Sequence, residues 1–296
     1  MKIESNYPVS IDYDPEADKP SRVFDSLARL VDSCYEIDAL LAGTLSGQAS
    51  VKHRLDRIEI GSLVTWIQSL IEIPDDRELS AKKPKKKKVK AFIEKGRKQI
   101  VKSYSKSANL QDPEVYNDIR NDLSALAKDQ GVKDDFAWRE PTSLKIAETL
   151  QLVNNASKDL SAKDSVQVGA AQGKLPPARP LDLMALRESL IAKRDVSIED
   201  VQLIIKKPDL LGESQWDFRL SGKSISARIH DGSWLADLHK RNVRLTTGDS
   251  LRVTLRTEIG KDSRGREINI RYEIVKVHSI VDSSDSVQAE LFPDEV

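Results

Sequence analysis

The sequence predicts an α+β chain with an N-terminal β-α-β-β layer, a helical middle and a C-terminal small, mainly antiparallel β barrel or sandwich. Three observations carry that expectation. Apolar residues alternate at a period of two at Val9, Ile11 and Tyr13 and again from Val201 onward. Between these regions they recur at helical spacing, as at Leu30, Cys34, Ile37 and Leu41. A Gly/Ala/Pro-rich stretch, SVQVGAAQGKLPPARP at 165–180, then marks a shift in composition. The domain reading is an α+β unit at 1–76, a basic arm and helical segment at 77–163, and a linker at 164–181. A β-rich domain at 182–281 and a flexible acidic tail at 282–296 complete it.

The first strand is broken by Pro15 and Pro20, and Asp18 or Ser21 is placed to cap the helix that follows. That helix carries Phe24, Leu27, Leu30, Val31, Cys34, Ile37 and Leu41 on one stripe and ends at Gly43. Cys34 lies on the stripe, which predicts a buried, inert thiol. Val51 to Ile60 reads as a strand. Leu63 to Ile73 suits either a helix or a strand, and its Val-Thr-Trp-Ile run favours a strand paired across Gly61-Ser62.

The segment from Lys82 to Lys106 holds twelve Lys/Arg and one acid, Glu94, in a chain whose 47 basic and 47 acidic residues cancel. Lys82, Lys83, Lys85, Lys86, Lys87 and Lys88 surround Pro84 and predict an extended, solvated arm. Beyond it Val89, Phe92, Ile93, Ile100 and Tyr104 fall near helical spacing, with Lys90, Lys95, Arg97, Lys98, Lys102 and Lys106 between them. These twelve cations are the candidate nucleic-acid-binding residues, a polyanion being their natural counterpart. Lysine outnumbers arginine, which favours delocalised attraction to DNA or RNA phosphates over base reading. A solvated face, an anionic membrane surface and an acidic protein are the alternatives. Pro84 to Lys90 also resembles a monopartite nuclear localisation signal.

Asp112-Pro113 and Pro141-Thr142 open two further helices, and Leu183 to Ala192 a short one. In the last third, Val201/Leu203/Ile205, Trp216/Phe218/Leu220 and Ile225/Ala227/Ile229 read as strands. Asp231 caps a short helix around Trp234, and Gly260 to Gly265 joins Leu251/Val253/Leu255 to Ile268/Ile270/Tyr272/Ile274 as a hairpin.

Several decoys fail on spacing. Gly169-Ala-Ala-Gln-Gly173-Lys174 is one residue short of a phosphate-binding loop and continues into Leu175. Gly222-Lys223-Ser224 has Asp217 where the first glycine belongs. His53, His230, His239 and His278 form no helix-face pair and none adjoins a cysteine, so no metal or cofactor is expected. His230, Asp231 and His239 are the one grouping that would suit a dispersed catalytic site, and no G-x-S-x-G elbow occurs.

No apolar run reaches the ~20 residues of a membrane helix. The start, Met1-Lys2-Ile-Glu-Ser, holds no apolar signal region, and the single cysteine fits a reducing compartment. A cytoplasmic location is the expectation.

The pattern Trp216-x-Phe218, Gly222, Ala227-x-Ile229-x-Asp231, Gly248-Asp249-x-Leu251, Tyr272-x-Ile274-x-x-Val277 resembles a C-terminal β module of uncharacterised bacterial proteins, some from defence and mobile-element loci. In the tail, Gln288-Ala-Glu-Leu291-Phe292 resembles the pentapeptide with which bacterial proteins dock on the replication sliding clamp; Gln288, Leu291 and Phe292 are its partner-binding positions. The expected function is a non-enzymatic, nucleic-acid-associated accessory or adaptor protein. A protein-interaction module docking an acidic partner or the clamp is the second reading, and an enzyme with dispersed catalytic residues the third.

Overall fold

In a computed structural model the described residues are 1–59, 63–74, 86–161, 163–169, 175–210, 214–246 and 248–281. The α+β expectation holds. The chain divides into two compact units, Met1–Leu190 and Ile191–Val296. Neither the boundary expected near residue 76 nor the linker expected at 164–181 divides it, because the helix Lys86–Lys106 packs on the first strand, the two helices after it pack on that helix and on the helix Ser21–Gly43, and Ser165–Val168 is a strand of the first sheet.

The N-terminal unit is built on an antiparallel sheet of β1 (Lys2–Asp12), β2 (Ser50–Glu59), β3 (Leu63–Glu72) and β4 (Ser165–Val168), in the order β2-β3-β1-β4. Alternation sends Ile3, Ser5, Tyr7, Val9 and Ile11 of β1 inward. Register sets Ile3 against Ile71, Tyr7 against Ile67 and Val9 against Val168, so one face is apolar apart from Thr65 and the buried Ser5–Ser69 pair. Four longer helices, α1 (Ser21–Gly43), α2 (Lys86–Lys106), α3 (Pro113–Asp129) and α4 (Ser143–Ala156), and the short α5 (Leu183–Ser189), complete this unit.

The start of α1 departs from expectation. Its N-cap is Pro20, which gives no side-chain cap. Instead the Arg22 guanidinium reaches back, donating to the carbonyls of Asp14, Ala17, Asp18 and Lys19 and to Asp164 at 3.0 Å. Phe24, expected on the apolar stripe, is 64% exposed; the stripe runs through Val23, Leu30, Cys34, Ile37 and Leu41. At α3 and α4 the caps are as the sequence suggests, with Asp112 accepting from the Glu114 N–H and Thr142 from that of Lys145. Among the described residues no helix is long and apolar enough to cross a membrane.

The second unit is a closed barrel of β5 (Lys193–Lys207), β6 (Trp216–Leu220), β7 (Lys223–Ile229), β8 (Ser250–Lys261) and β9 (Glu267–Val281), with α6 (Gly232–His239) between β7 and β8. Its order is β5-β6-β7-β9-β8, antiparallel except for the parallel pair β7–β9. This five-stranded Greek-key connectivity is that of the OB-type barrel. The interior is filled by Leu203, Ile205, Trp216, Phe218, Ile225, Leu251, Val253 and Ile274, with Trp216 and Phe218 stacked at 6.1 Å. Ser221 and Gly222, both at positive φ, make the tight β6–β7 turn that resembled a phosphate-binding loop.

Candidate nucleic-acid interface

The basic stretch becomes helical at Lys86, so Lys86, Lys87 and Lys88 form the first turn of α2 instead of the end of an extended arm. Lys82, Lys83 and Lys85 lie outside the described residues, as do Gln288, Leu291 and Phe292 and residues 170–174 of the decoy loop. With no acid in its first turn, α2 starts against its own macrodipole, at about 0.3–1 kcal/mol per cation. Packing offsets that cost. Val89, Phe92, Ile93, Ile100 and Tyr104 are all fully buried, and Phe92 meets Trp138 edge-on at 5.7 Å. Gly96 permits the approach to α1, since a Cβ there would sit 2.7 Å from a Leu41 methyl.

Arg97 corrects the sequence reading. It is 5% exposed and turned into the unit, where Nε and Nη2 donate to one oxygen of Asp38 at 2.9 and 2.7 Å. Its guanidinium also lies 3.8 Å from the centre of the Tyr7 ring. The other Asp38 oxygen accepts from Ser69 at 2.6 Å and faces His53 Nε2 at 2.9 Å. Burial alone would raise the Asp38 carboxyl, but Arg97, His53 and Ser69 hold it below its ordinary value. One turn before it Cys34 is buried as expected, and burial pushes its thiol up to about 12, helped by the Asp38 charge. Arg97 is a structural keystone and is unavailable to a phosphate.

The remaining cations of α2 sort by partner. Lys88 meets Asp135 at 3.4 Å and Lys90 meets Glu94 at 3.9 Å. Lys86, Lys87, Lys95, Lys98, Lys102 and Lys106 are exposed, and among the described residues no carboxylate lies within ion-pair distance of them. At the helical angle per residue, Lys87, Lys95, Lys98, Lys102 and Lys106 fall within an arc of about 100°. That arc is opposite the buried Phe92/Ile93/Ile100 side. Lys95, Lys98 and Lys102 border a shallow depression of about 320 Å³ against α3, with Gln99, Asp122 and Leu126 as its other walls. Asp122 is occupied there by the Gln99 amide at 2.6 Å.

The grouping around His230 does not form a reacting constellation. Asp231 is the N-cap of α6: one oxygen accepts from Ser233 and the Trp234 N–H, the other from the Val277 N–H. Those bonds lower its carboxyl, Ser233 most. His230 and His239 are exposed at either end of α6. Among the described residues no three of His, Cys, Asp and Glu gather as a metal would need.

Two features escaped sequence reasoning. Asp38 was visible as one carboxylate inside the α1 stripe, between Ile37 and Leu41, a placement that demands a buried partner. On the exterior of the barrel, Arg219 and Arg228 stand singly between apolar residues and attract no notice in a charge count. No family model, curated protein or solved structure matches this chain.

Proposed function

We propose that this chain is a nucleic-acid-associated accessory or adaptor protein that holds the phosphate backbone of DNA or RNA through the lysine face of α2. The observation that supports this most is the arc Lys87/Lys95/Lys98/Lys102/Lys106, without an ion pair among the described residues, on a helix whose opposite face is locked into the core. A row of flexible ammonium groups on a fixed helix attracts phosphates without reading bases, so binding is expected to be indifferent to sequence and steep in salt. The test is Lys95→Gln/Lys98→Gln/Lys102→Gln, titrated against labelled duplexes of different sequence at several salt concentrations. The slope of log affinity against log salt is expected to fall by about 0.9 per lost phosphate contact, equally for every sequence. Wild-type protein that binds no duplex at low salt, or an unchanged slope in the variant, defeats the reading.

A further inference from the structure

The first unit leaves one margin of its sheet uncovered. β2 is an edge strand, and register sets His53, Leu55 and Ile58 opposite the buried Ser69, Ile67 and Thr65, on the side of the sheet where α1 packs. α1 stops short of that edge, so Leu55 stays 62% and Ile58 53% exposed. Beside the stripe it buries, α1 carries a second apolar one. At the helical angle per residue Phe24, Ala28, Val31 and Tyr35 fall within an arc of about 60°, and none of the four is buried.

Both ends of the groove between this stripe and β2 are fixed by contacts. At one end Phe24 and Ile58 line a cavity of about 290 Å³ together with Tyr13. At the other Tyr35 meets His53 edge-on at 5.6 Å. Among its described residues the first unit exposes seven large apolar side chains, and five of them, Tyr13, Phe24, Tyr35, Leu55 and Ile58, lie along this groove. A contiguous patch of that kind marks an interaction surface.

We infer that a second copy of this chain covers the groove, antiparallel about a two-fold axis, with α1 against α1 and β2 beside β2. A two-fold contact sets a patch against its own copy. Here that operation brings about 16 Å of apolar helix, from Phe24 to Tyr35, onto its equal. The charges are self-complementary as well. Arg54 and Asp56 flank Leu55, both exposed and neither in an ion pair among the described residues. Arg57 is engaged by Glu59 at 3.1 Å and by the Trp66 ring at 4.5 Å. An axis passing at Leu55 sets each Arg54 beside Asp56 of the other copy, twice over. A partner that adds a strand fits less well: the register shift between Leu55 and Arg57 interrupts the ladder β2 could offer, and Lys52 and Arg54 line that edge. The contact is therefore made by side chains, most of them from α1. The inference stands independently of the α2 reading.

The experiment is analytical ultracentrifugation of the full chain across micromolar concentrations, with circular dichroism to show that each variant is folded. Wild type is expected to pass from monomer to dimer as concentration rises. Phe24→Asp/Leu55→Asp, at two exposed positions, is expected to weaken self-association about thirtyfold or more, the loss of at least one hot spot. Arg54→Glu alone and Asp56→Lys alone are each expected to weaken it about tenfold, because like charges then meet twice. An equal mixture of those two single variants is expected to form a heterodimer within about threefold of wild-type affinity, since every introduced charge then faces its opposite; damage to the fold would not be cured by mixing. A wild type that stays monomeric throughout leaves the groove to some other protein and overturns the inference. So does a dimer indifferent to Phe24→Asp/Leu55→Asp, or a mixture no tighter than the separate variants.

Discussion

In the N-terminal unit two ion pairs, Arg97–Asp38 and Arg22–Asp164, lie inside the packing, whereas the barrel encloses an apolar cluster and carries its ion pairs on the exterior. The carboxylates the barrel does bury, Asp249 and Asp262, sit in turns: Asp249 accepts from Thr246, and Asp262 accepts from the N–H groups of Arg264 and Arg266 and pairs with the Arg266 guanidinium at 2.9 Å, a local turn contact that joins no two elements of the core. The difference follows from the elements. A five-stranded barrel with period-two strands separates inside from outside residue by residue. The four-stranded sheet needs helices brought from residues 21 to 156, and polar anchors fix where they dock. Asp38 joins α1 to α2 through Arg97 and to β3 through Ser69; Asp164 joins the end of the β1 segment to α1. Charge specifies the packing of the first unit and decorates the second.

The largest expected effect tests that contrast at its centre. Arg97→Ala strands Asp38 in the core, and removal of one partner of a buried pair costs about 3–5 kcal/mol. Urea unfolding followed at the tryptophans measures it, since Trp66 and Trp138 lie in the first unit and Trp216 and Trp234 in the second. The transition of the first unit is expected to move and that of the second to stay. Arg97→Met with Asp38→Leu is expected to recover much of the loss, since an apolar pair carries no desolvation cost. A loss under about 1 kcal/mol in Arg97→Ala would erase the distinction between the two units.

Much of the fold was legible in the sequence, because periodicity survives wherever one face of an element is buried. The β-α-β-β start, the helix over Phe92 to Tyr104 and the five C-terminal strands were readable on that ground. The errors have physical causes. Ser165–Val168 looked like linker because a four-residue strand beside Gly169 carries too few residues to display a period, and its pairing to Val9 is more than 150 positions away in the chain. Arg97 was placed among phosphate-binding cations because formal charge does not report direction; its position on the Ile93/Ile100 side of α2 was the available clue. The barrel cations were overlooked for the opposite reason, since single charges on alternate strand positions look like ordinary solvent-facing residues.

Acid offers a second, smaller test of the same comparison. Burial alone would raise the Asp164 carboxyl, but Arg22 and the N–H groups of Asp14 and Ser161 hold it at about 2. Because the folded value lies below the unfolded ~3.9, its stabilisation is complete above about pH 4 and is lost as pH falls toward 2. Asp195 on the barrel is also held at about 2, by Lys193 and Lys261, but it faces solvent and its contribution is screened by salt. Melting scans from pH 5 to pH 2, at low and high salt, are expected to separate them. The first unit's acid sensitivity persists at high salt and flattens in Asp164→Asn, while that of Asp195 fades with salt. Equal salt dependence in both units would count against a buried role for Asp164.

The smallest effect belongs to Arg256, which joins Glu258 and Glu273 in an ion-pair ladder on the barrel surface. Its carboxylate partners hold its pKa above the ordinary arginine value, Glu273 most. Fixing long side chains offsets much of the attraction between exposed charges, and water and salt screen the rest. Arg256→Ala is therefore expected to lower the barrel's melting temperature by no more than about 2–4 °C, and by less still at 0.5 M salt. A larger thermal loss, or one unmoved by salt, would reverse the assignment and make the ladder a structural element of the barrel.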